Sequence, residues 1–149
     1  MRTAVIIPSR YSSTRLEGKP LMDIAGKPMI QRVYEAALQA TLIDRVIVAT
    51  DDKRILDTVI NFGGQAELTS SRHLSGTDRV AEVADRLTGD IVVNLQGDEP
   101  FINPEQLDLL MSCFSDDSID IATLAHPLRD DRDIRDANIV KLVRAGDQR

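Results

Sequence analysis

The chain has one cysteine, Cys113, and two histidines, His73 and His126. A single cysteine excludes an intramolecular disulfide and fits a reducing compartment, so a cytoplasmic location is expected. Cys113 itself reads as a small buried hydrophobe on a helix. Two scattered histidines are too few for a metal cluster, and both read as incidental. No apolar run approaches membrane length, and Met1 leads almost directly into a strand rather than a signal peptide, so no membrane partner is expected. Internal repeats and low-complexity tracts are missing as well. Basic charge is scarce overall: the net charge is −6, which argues against a nucleic-acid footprint. Two familiar phosphate loops are absent. Gly18-Lys19-Pro20 and Gly26-Lys27-Pro28 lack the spaced glycine and the Ser/Thr of a P-loop, and no G-x-G-x-x-G follows the first apolar run. No Ser/His/Asp or Cys/His set suggests covalent catalysis.

Against that background one stretch stands out, Ile6-Ile7-Pro8-Ser9-Arg10-Tyr11-Ser12-Ser13-Thr14-Arg15-Leu16-Glu17-Gly18-Lys19-Pro20. Three long cations, four hydroxyls and a glycine follow a strand-like run. Arginines fork onto phosphate oxygens, lysine supplies a compact charge, and hydroxyls and loop N–H groups fill in. A nucleoside triphosphate is the expected ligand; the plainer reading is a polar connection with solvated charges. Residues 1–32 carry six cations against Glu17 and Asp23, a local +4, which leaves −10 for the remainder. An isolated positive patch in an acidic chain focuses a small anion rather than a polymer.

The length and an apolar fraction of 42% suit one domain with a real core. Strand and helix patterns alternate. Ala4–Pro8, Arg45–Thr50, Gln65–Thr69, Ile91–Leu95, Ile121–His126 and Ile139–Arg144 read as strands. Helices are expected from Pro28 to Ala40, with Met29, Ile30, Val33, Ala37 and Leu38 on one face, and after an Asp51 or Asp52 cap, with Ile55, Leu56, Val59 and Ile60 as the stripe. Gly63-Gly64 ends the second. Two more are expected near Thr77–Leu87 and over Pro104–Phe114. Strands separated by such helices imply parallel pairing with right-handed crossovers, an open α/β sheet with helices on both faces. In such sheets ligands gather beyond the carboxyl ends of strands. The loop over residues 8–20, Asp51-Asp52 and the segment 96–100 all fall there. Asp130–Asp136, dense in Asp and Arg, reads as a solvated loop of compensating charges.

Two further motifs bear on chemistry. In Asn94-Leu95-Gln96-Gly97-Asp98-Glu99-Pro100, Asp98 at a strand end is a candidate ligand for a hard cation, which prefers one or two carboxylates with phosphate oxygens and water. Gly97 would let a ligand approach the backbone. Glu99, its neighbour on an extended chain, points the other way. Gln96 reads either as an amide that contacts a sugar or base, or as a residue satisfying backbone groups. In Arg72-His73-Leu74-Ser75-Gly76-Thr77-Asp78-Arg79, Ser75 or Thr77 would cap a helix whose N-terminus attracts an anion or a base edge.

Taken in order, IIPSRYSSTRLEGKPL, IAGKPMIQRV, VATDD, HLSGTDR, VNLQGDEPFI and NIVKLV resemble the 3-deoxy-manno-octulosonate (KDO) cytidylyltransferases, also called CMP-KDO synthetases, over nearly the whole chain. The resemblance implies a Rossmann-like open, mostly parallel sheet of the nucleotide-diphospho-sugar transferase type, incomplete at its C-terminal end. It also implies Mg²⁺-dependent transfer of CMP from CTP to KDO, with release of pyrophosphate, for lipopolysaccharide biosynthesis. By motif, Arg10, Ser13, Arg15 and Lys19 would hold the triphosphate, with Arg10, Lys19 and Asp98 as the catalytic set. Asp98 would bind Mg²⁺, the Ser75-Gly76-Thr77 turn would lie near cytosine, and Gln96 would face the sugar acid.

The chain departs from the family pattern twice. Glu17 stands where the family usually has proline, and the family's members are considerably longer. Residues 1–149 are therefore expected to be the N-terminal, nucleotide-binding part of a cytidylyltransferase domain. The expectation includes exposed apolar surface, poor or no turnover, and a missing interface for the family's homodimer. Two alternatives stay open. One is a cytidylyltransferase for a related acid, 8-amino-KDO or sialic acid; the other is a non-catalytic nucleotide-binding fragment that needs a partner.

Overall fold

The computed structural model describes residues 2–12, 16–128 and 130–143. At its centre is β1 (Thr3–Ser9), in which Val5, Ile6 and Ile7 are wholly buried. A strand covered on both faces reads as a continuous apolar run rather than an alternation, as this one does. It pairs in parallel with β4 (Arg45–Thr50) on one side and β6 (Ile91–Asn94) on the other, with Val5 level with both Val46 and Val93. A short β5 (Ala66–Leu68) joins the outer side of β4, giving the order β5-β4-β1-β6.

Four helices cover the sheet. On one face α1 (Met29–Ala37), α2 (Lys53–Asn61) and α4 (Pro104–Ser112) set Ile30, Val33, Ile55, Val59, Leu107 and Met111 against Val5, Ile7, Val46, Val48, Val93 and Leu95. On the other, α3 (Gly76–Ala84) sets Val80 and Val83 against Ile6, Ile47 and Ala49. The expected open parallel sheet with helices on both faces is therefore present. Among the described residues, no helix is long and apolar enough to cross a membrane.

Several local expectations are corrected. Before α1 the chain makes a small antiparallel hairpin, β2 (Asp23–Ile24) with β3 (Lys27–Pro28). Its turn needs two positive φ angles, 51° at Ala25 and 85° at Gly26, and Asp23 Oδ1 accepts the Gly26 N–H at 3.0 Å. Pro28 thus ends a strand and caps α1 rather than opening it. Leu38 is exposed because α1 stops at Ala37, and Ile60, in the last turn of α2, is exposed as well. Cys113 is exposed too, in a 3-10 turn (Cys113–Ser115) that follows α4.

Residues 121–126 and 139–143 form no strand. Neither run pairs with the outer edge of β5 or β6, and Ile121, Val140 and Val143 are highly exposed, so burial offsets none of the cost of ordering them as strands. Between them Asp131–Arg135 is a short helix, α5, rather than a loop, because the Asp130 carboxylate accepts the Arg132 N–H.

Candidate functional site

The C-terminal ends of β1 and β6 lie side by side, and the chain leaving each one contributes a wall to the same pocket. Pro8, Ser9, Arg10, Lys19, Pro20, Gln96, Gly97 and Asp98 line a cavity of about 170 Å³. That is below the ~300 Å³ from which pockets for whole organic ligands usually start, and suits a phosphate chain. Gly97 sits close to the neighbouring strand end: a Cβ there would be 3.2 Å from the Pro8 carbonyl oxygen, a tight contact. The glycine eases the approach of the two strand ends and lines the pocket between them.

Within the pocket, Lys19 Nζ donates to Asp98 Oδ2 at 2.7 Å. The side chains are 37% and 53% exposed, so the pair contributes at most about 1 kcal/mol and can exchange partners readily. Arg10 Nη2 donates to the His73 carbonyl at 2.7 Å, which ties the loop after β1 to the segment before α3. The His73 carbonyl anchors Arg10, and the His73 ring Nε2 lies 2.5 Å from Glu82 Oε2, which gives the residue a structural part beside the pocket. The Ser70 N–H, followed by His73, holds the Glu82 carboxyl below its ordinary range. Ser9 is buried, and its hydroxyl has no hydrogen-bond partner among the described residues. An unpaired hydroxyl in the wall of a pocket flanked by cations is a donor without an acceptor.

The third motif borders this pocket. Ser75 caps α3: its hydroxyl accepts the Asp78 N–H at 3.1 Å, and Asp78 Oδ2 accepts from the Ser75 hydroxyl and N–H at 2.7 and 3.0 Å. These bonds, the hydroxyl's foremost, hold the Asp78 carboxyl below its ordinary value. Gly76 packs on Pro8, whose Cγ would be 3.2 Å from an added Cβ. Asn94 bridges the two sides, donating to Thr77 Oγ1 at 3.4 Å and accepting from Gln96 Nε2 at 3.1 Å. The structure therefore brings Arg10, Lys19, Gln96 and Asp98 to one pocket, with Ser75, Gly76 and Thr77 beside it. Ser13 and Arg15 lie outside the described residues.

Sequence reasoning missed Ser9, Asn94 and Arg79 as contributors. A polar residue closing an apolar strand was the available signal for the first two. Arg79 gave none; it is fully buried, donating to Thr69 Oγ1 and placing Nη2 2.9 Å from Asp51 Oδ2. That ion pair lacks hydrogen-bond alignment at Nη2, and Nε has no partner among the described residues. Asp51 thus serves Arg79, while Asp52 caps α2 by accepting the Arg54 N–H. Both aspartates support the site from outside it.

Asp98 is the only carboxylate lining the pocket among the described residues, where no group of three metal-binding side chains occurs. One exposed carboxylate fits a Mg²⁺ ion that takes most of its ligands from phosphate oxygens and water, not one held in a protein cage. A larger hollow of about 330 Å³ lies at the opposite end of β6, but Asp90, Asp116, Asp117 and Asp120 line it. Four carboxylates repel a polyanion, so the smaller pocket is the phosphate candidate.

The model of the family described as Cytidylyltransferase matches residues 4–149. A 3-deoxy-manno-octulosonate cytidylyltransferase of Geotalea daltonii is 52% identical over 144 residues, 96% of this chain and 57% of its own length. One of Parabacteroides distasonis is 53% identical over 135 residues, 89% of this chain and 53% of its own. Among solved structures, a CMP:2-keto-3-deoxy-manno-octonic acid synthetase complexed with CTP matches at a TM-score of 0.77 and 51% identity, over 79% of this chain and 49% of that one. A cytidylyltransferase from Leptospira borgpetersenii matches at a TM-score of 0.67 and 27% identity, over 77% of this chain and 49% of that one. The chain spans little more than half the length of the curated relatives it matches.

Proposed function

Since the chain belongs to the cytidylyltransferase family, we propose that its pocket receives the triphosphate of CTP, and that the whole protein transfers CMP from CTP to KDO. The observation that carries this reading is the meeting of Arg10, Lys19, Asp98 and the unpaired Ser9 hydroxyl at two adjacent strand ends. The likeness to a synthetase complexed with CTP supports cytosine as the base, and the names of the relatives support KDO as the acceptor.

In this reading Lys19 leaves Asp98 for a phosphate oxygen, and Arg10 presents its remaining guanidinium N–H groups to the same chain of phosphates. Ser9 donates its free hydroxyl proton to a third oxygen. The reaction forms a bond from the sugar's anomeric oxygen to the α-phosphorus and breaks the bond from that phosphorus to the bridging oxygen of pyrophosphate. Such a step needs in-line positioning and neutralised charge more than a protein nucleophile. Asp98 would hold Mg²⁺, which when bound supplies charge neutralisation at the phosphates. Ser75, Gly76 and Thr77 at the start of α3 are assigned to the cytosine, and Gln96, steered by Asn94, to the sugar acid. The pocket holds phosphates rather than a whole nucleotide, and it offers one carboxylate, so we assign residues 1–149 nucleotide binding with poor turnover.

Calorimetric titration with CTP, UTP and ATP, with and without Mg²⁺, tests the binding claim. CTP binding that strengthens with Mg²⁺ and weakens in Lys19→Met supports it. Equal binding of all three nucleotides removes the assignment of α3 to the base, and no binding removes the nucleotide reading.

A further inference from the structure

We infer that Tyr11 is a positioning residue that sets the spacing of the two phosphate-facing cations, Arg10 and Lys19; this rests on the nucleotide reading above. Arg10 and Lys19 flank a loop whose base is closed by a hydrogen bond, the Gly18 N–H donating to the Tyr11 carbonyl at 2.9 Å. Closure demands a left-handed backbone at Gly18, where φ is +70°. The same glycine lies against the Tyr11 ring: an added Cβ would be 3.2 Å from Cζ and Oη and 3.3 Å from Cε2. The ring is also covered by Arg54, whose Cζ is 3.2 Å from the ring centroid. It is therefore held by a cation of α2 and by the backbone at Gly18, and it also packs against the main hydrophobic core.

Arg54 is itself fixed. Its Nε and Nη2 donate to Asp52 Oδ1 and Oδ2 at 2.9 and 2.6 Å, and Asp52 is the cap of α2. Asp52 foremost, and Glu17 more weakly, favour the charged guanidinium. The chain of support runs from α2 through Arg54 to Tyr11, and from Tyr11 to its neighbour Arg10 and, across Gly18, to Lys19. Gly18 also opens the 3-10 turn over Lys19–Leu21, accepting the Leu21 N–H at 2.9 Å, so a shift at Gly18 moves Lys19 directly. Two cations that must meet neighbouring phosphates are sensitive to such a shift, whereas a base held elsewhere is not.

The test compares CTP with CMP, which lacks the two outer phosphates, using the 149-residue chain, Tyr11→Leu and Gly18→Ala in Mg²⁺ buffer, with thermal melting as the check on folding. Tyr11→Leu keeps apolar bulk but removes the ring beneath Arg54; Gly18→Ala keeps the ring but places a methyl group against it. Each variant should bind CTP about tenfold more weakly, the equivalent of one lost charged contact, and CMP within about twofold of wild type. Equal losses for both nucleotides would mean a merely structural role and overturn the inference, as would unchanged CTP affinity. If Tyr11→Leu fails to fold, Gly18→Ala decides by the same ratio. A wild-type chain that binds no CTP overturns the nucleotide reading, and the inference with it.

Discussion

Residues 2–115 and 116–143 show two fates for similar sequence patterns. Ile91–Leu95 and Ile121–His126 both read as strands, yet only the first pairs, through Ile91–Asn94 with β1. Ile91–Asn94 finds an open edge on β1 and a helix, α4, to cover it. Ile121, Leu124 and Leu128, in contrast, are exposed. A strand pattern states which face could be buried; an element packed on that face, as for Val93 against Leu107 and Met111, decides whether it is. Backbone ordering costs about 1–2 kcal/mol per residue, and a run without ladder partners or burial has nothing to offset that cost.

The largest expected contrast is in proteolysis. Segments with few buried contacts open at almost no cost, whereas the sheet opens only near the global free energy. Limited trypsin digestion should therefore cut first between residues 116 and 143 and leave a resistant product containing β1 to α4. Early cuts within α1 or α2 would contradict the division.

Next comes Arg79. Arg79→Met removes the charge that Asp51 faces and the donor to Thr69; breaking a buried pair from one side costs about 3–5 kcal/mol. Partial exposure of Asp51 argues for the lower end, about 3 kcal/mol in urea unfolding. Ile121→Ser and Val140→Ser should stay within about 0.5 kcal/mol, the range for exposed sites. If either serine variant matched Arg79→Met, the segment 116–143 would be packed after all.

Lys19→Met separates binding from stability. CTP affinity should fall by about 1.5–3 kcal/mol, the range for charged hydrogen bonds. Its unfolding midpoint should hardly move, because the pair with Asp98 is exposed. Ser75→Ala should cost about 1 kcal/mol through the lost cap of α3, and a silent result would mean that the capping box does not form.

Acid gives the smallest and most distributed effect. Hydrogen bonds hold Asp44 (from the Thr3 N–H and hydroxyl) and Asp108 (from the Leu42 and Thr41 N–H groups) below the ordinary value of 3.8. A depressed folded value means stability that is complete above the ordinary carboxylate range and is lost as pH falls through the folded value. Unfolding free energy should thus be flat from neutral pH down to about 5 and decline below about 4. Asp44→Asn should flatten part of that decline. Asp116 is depressed by its close neighbour Ser118; a bond two residues away also forms in the unfolded chain and lowers the reference value there, so Asp116→Asn should change the curve less than Asp44→Asn.

Those contrasts also explain what was legible in the sequence. β1, β4 and β6 were readable because central parallel strands are apolar on both faces; capping is local chemistry, so the caps could be narrowed to Asp51 or Asp52 and to Ser75 or Thr77, of which the structure uses Asp52 and Ser75. Lys19 and Asp98 could be placed on one site because strand ends gather ligands. Illegible were contacts that depend on where distant segments land. The Arg10 bond goes to a backbone carbonyl, which any residue in place of His73 would supply. Arg79 reaches Thr69 and Asp51 across the ends of two strands. The β2–β3 hairpin relies on a positive φ at Ala25, which an alanine does not advertise.

The central claim is that residues 2–115 hold a pocket for the triphosphate of CTP. Its most direct test is calorimetric titration of CTP into the 149-residue chain and its Lys19→Met variant in Mg²⁺ buffer. The account predicts saturable binding by the wild type, weakened at least tenfold in the variant. Absence of wild-type binding, or equal affinity in the two proteins, would contradict it.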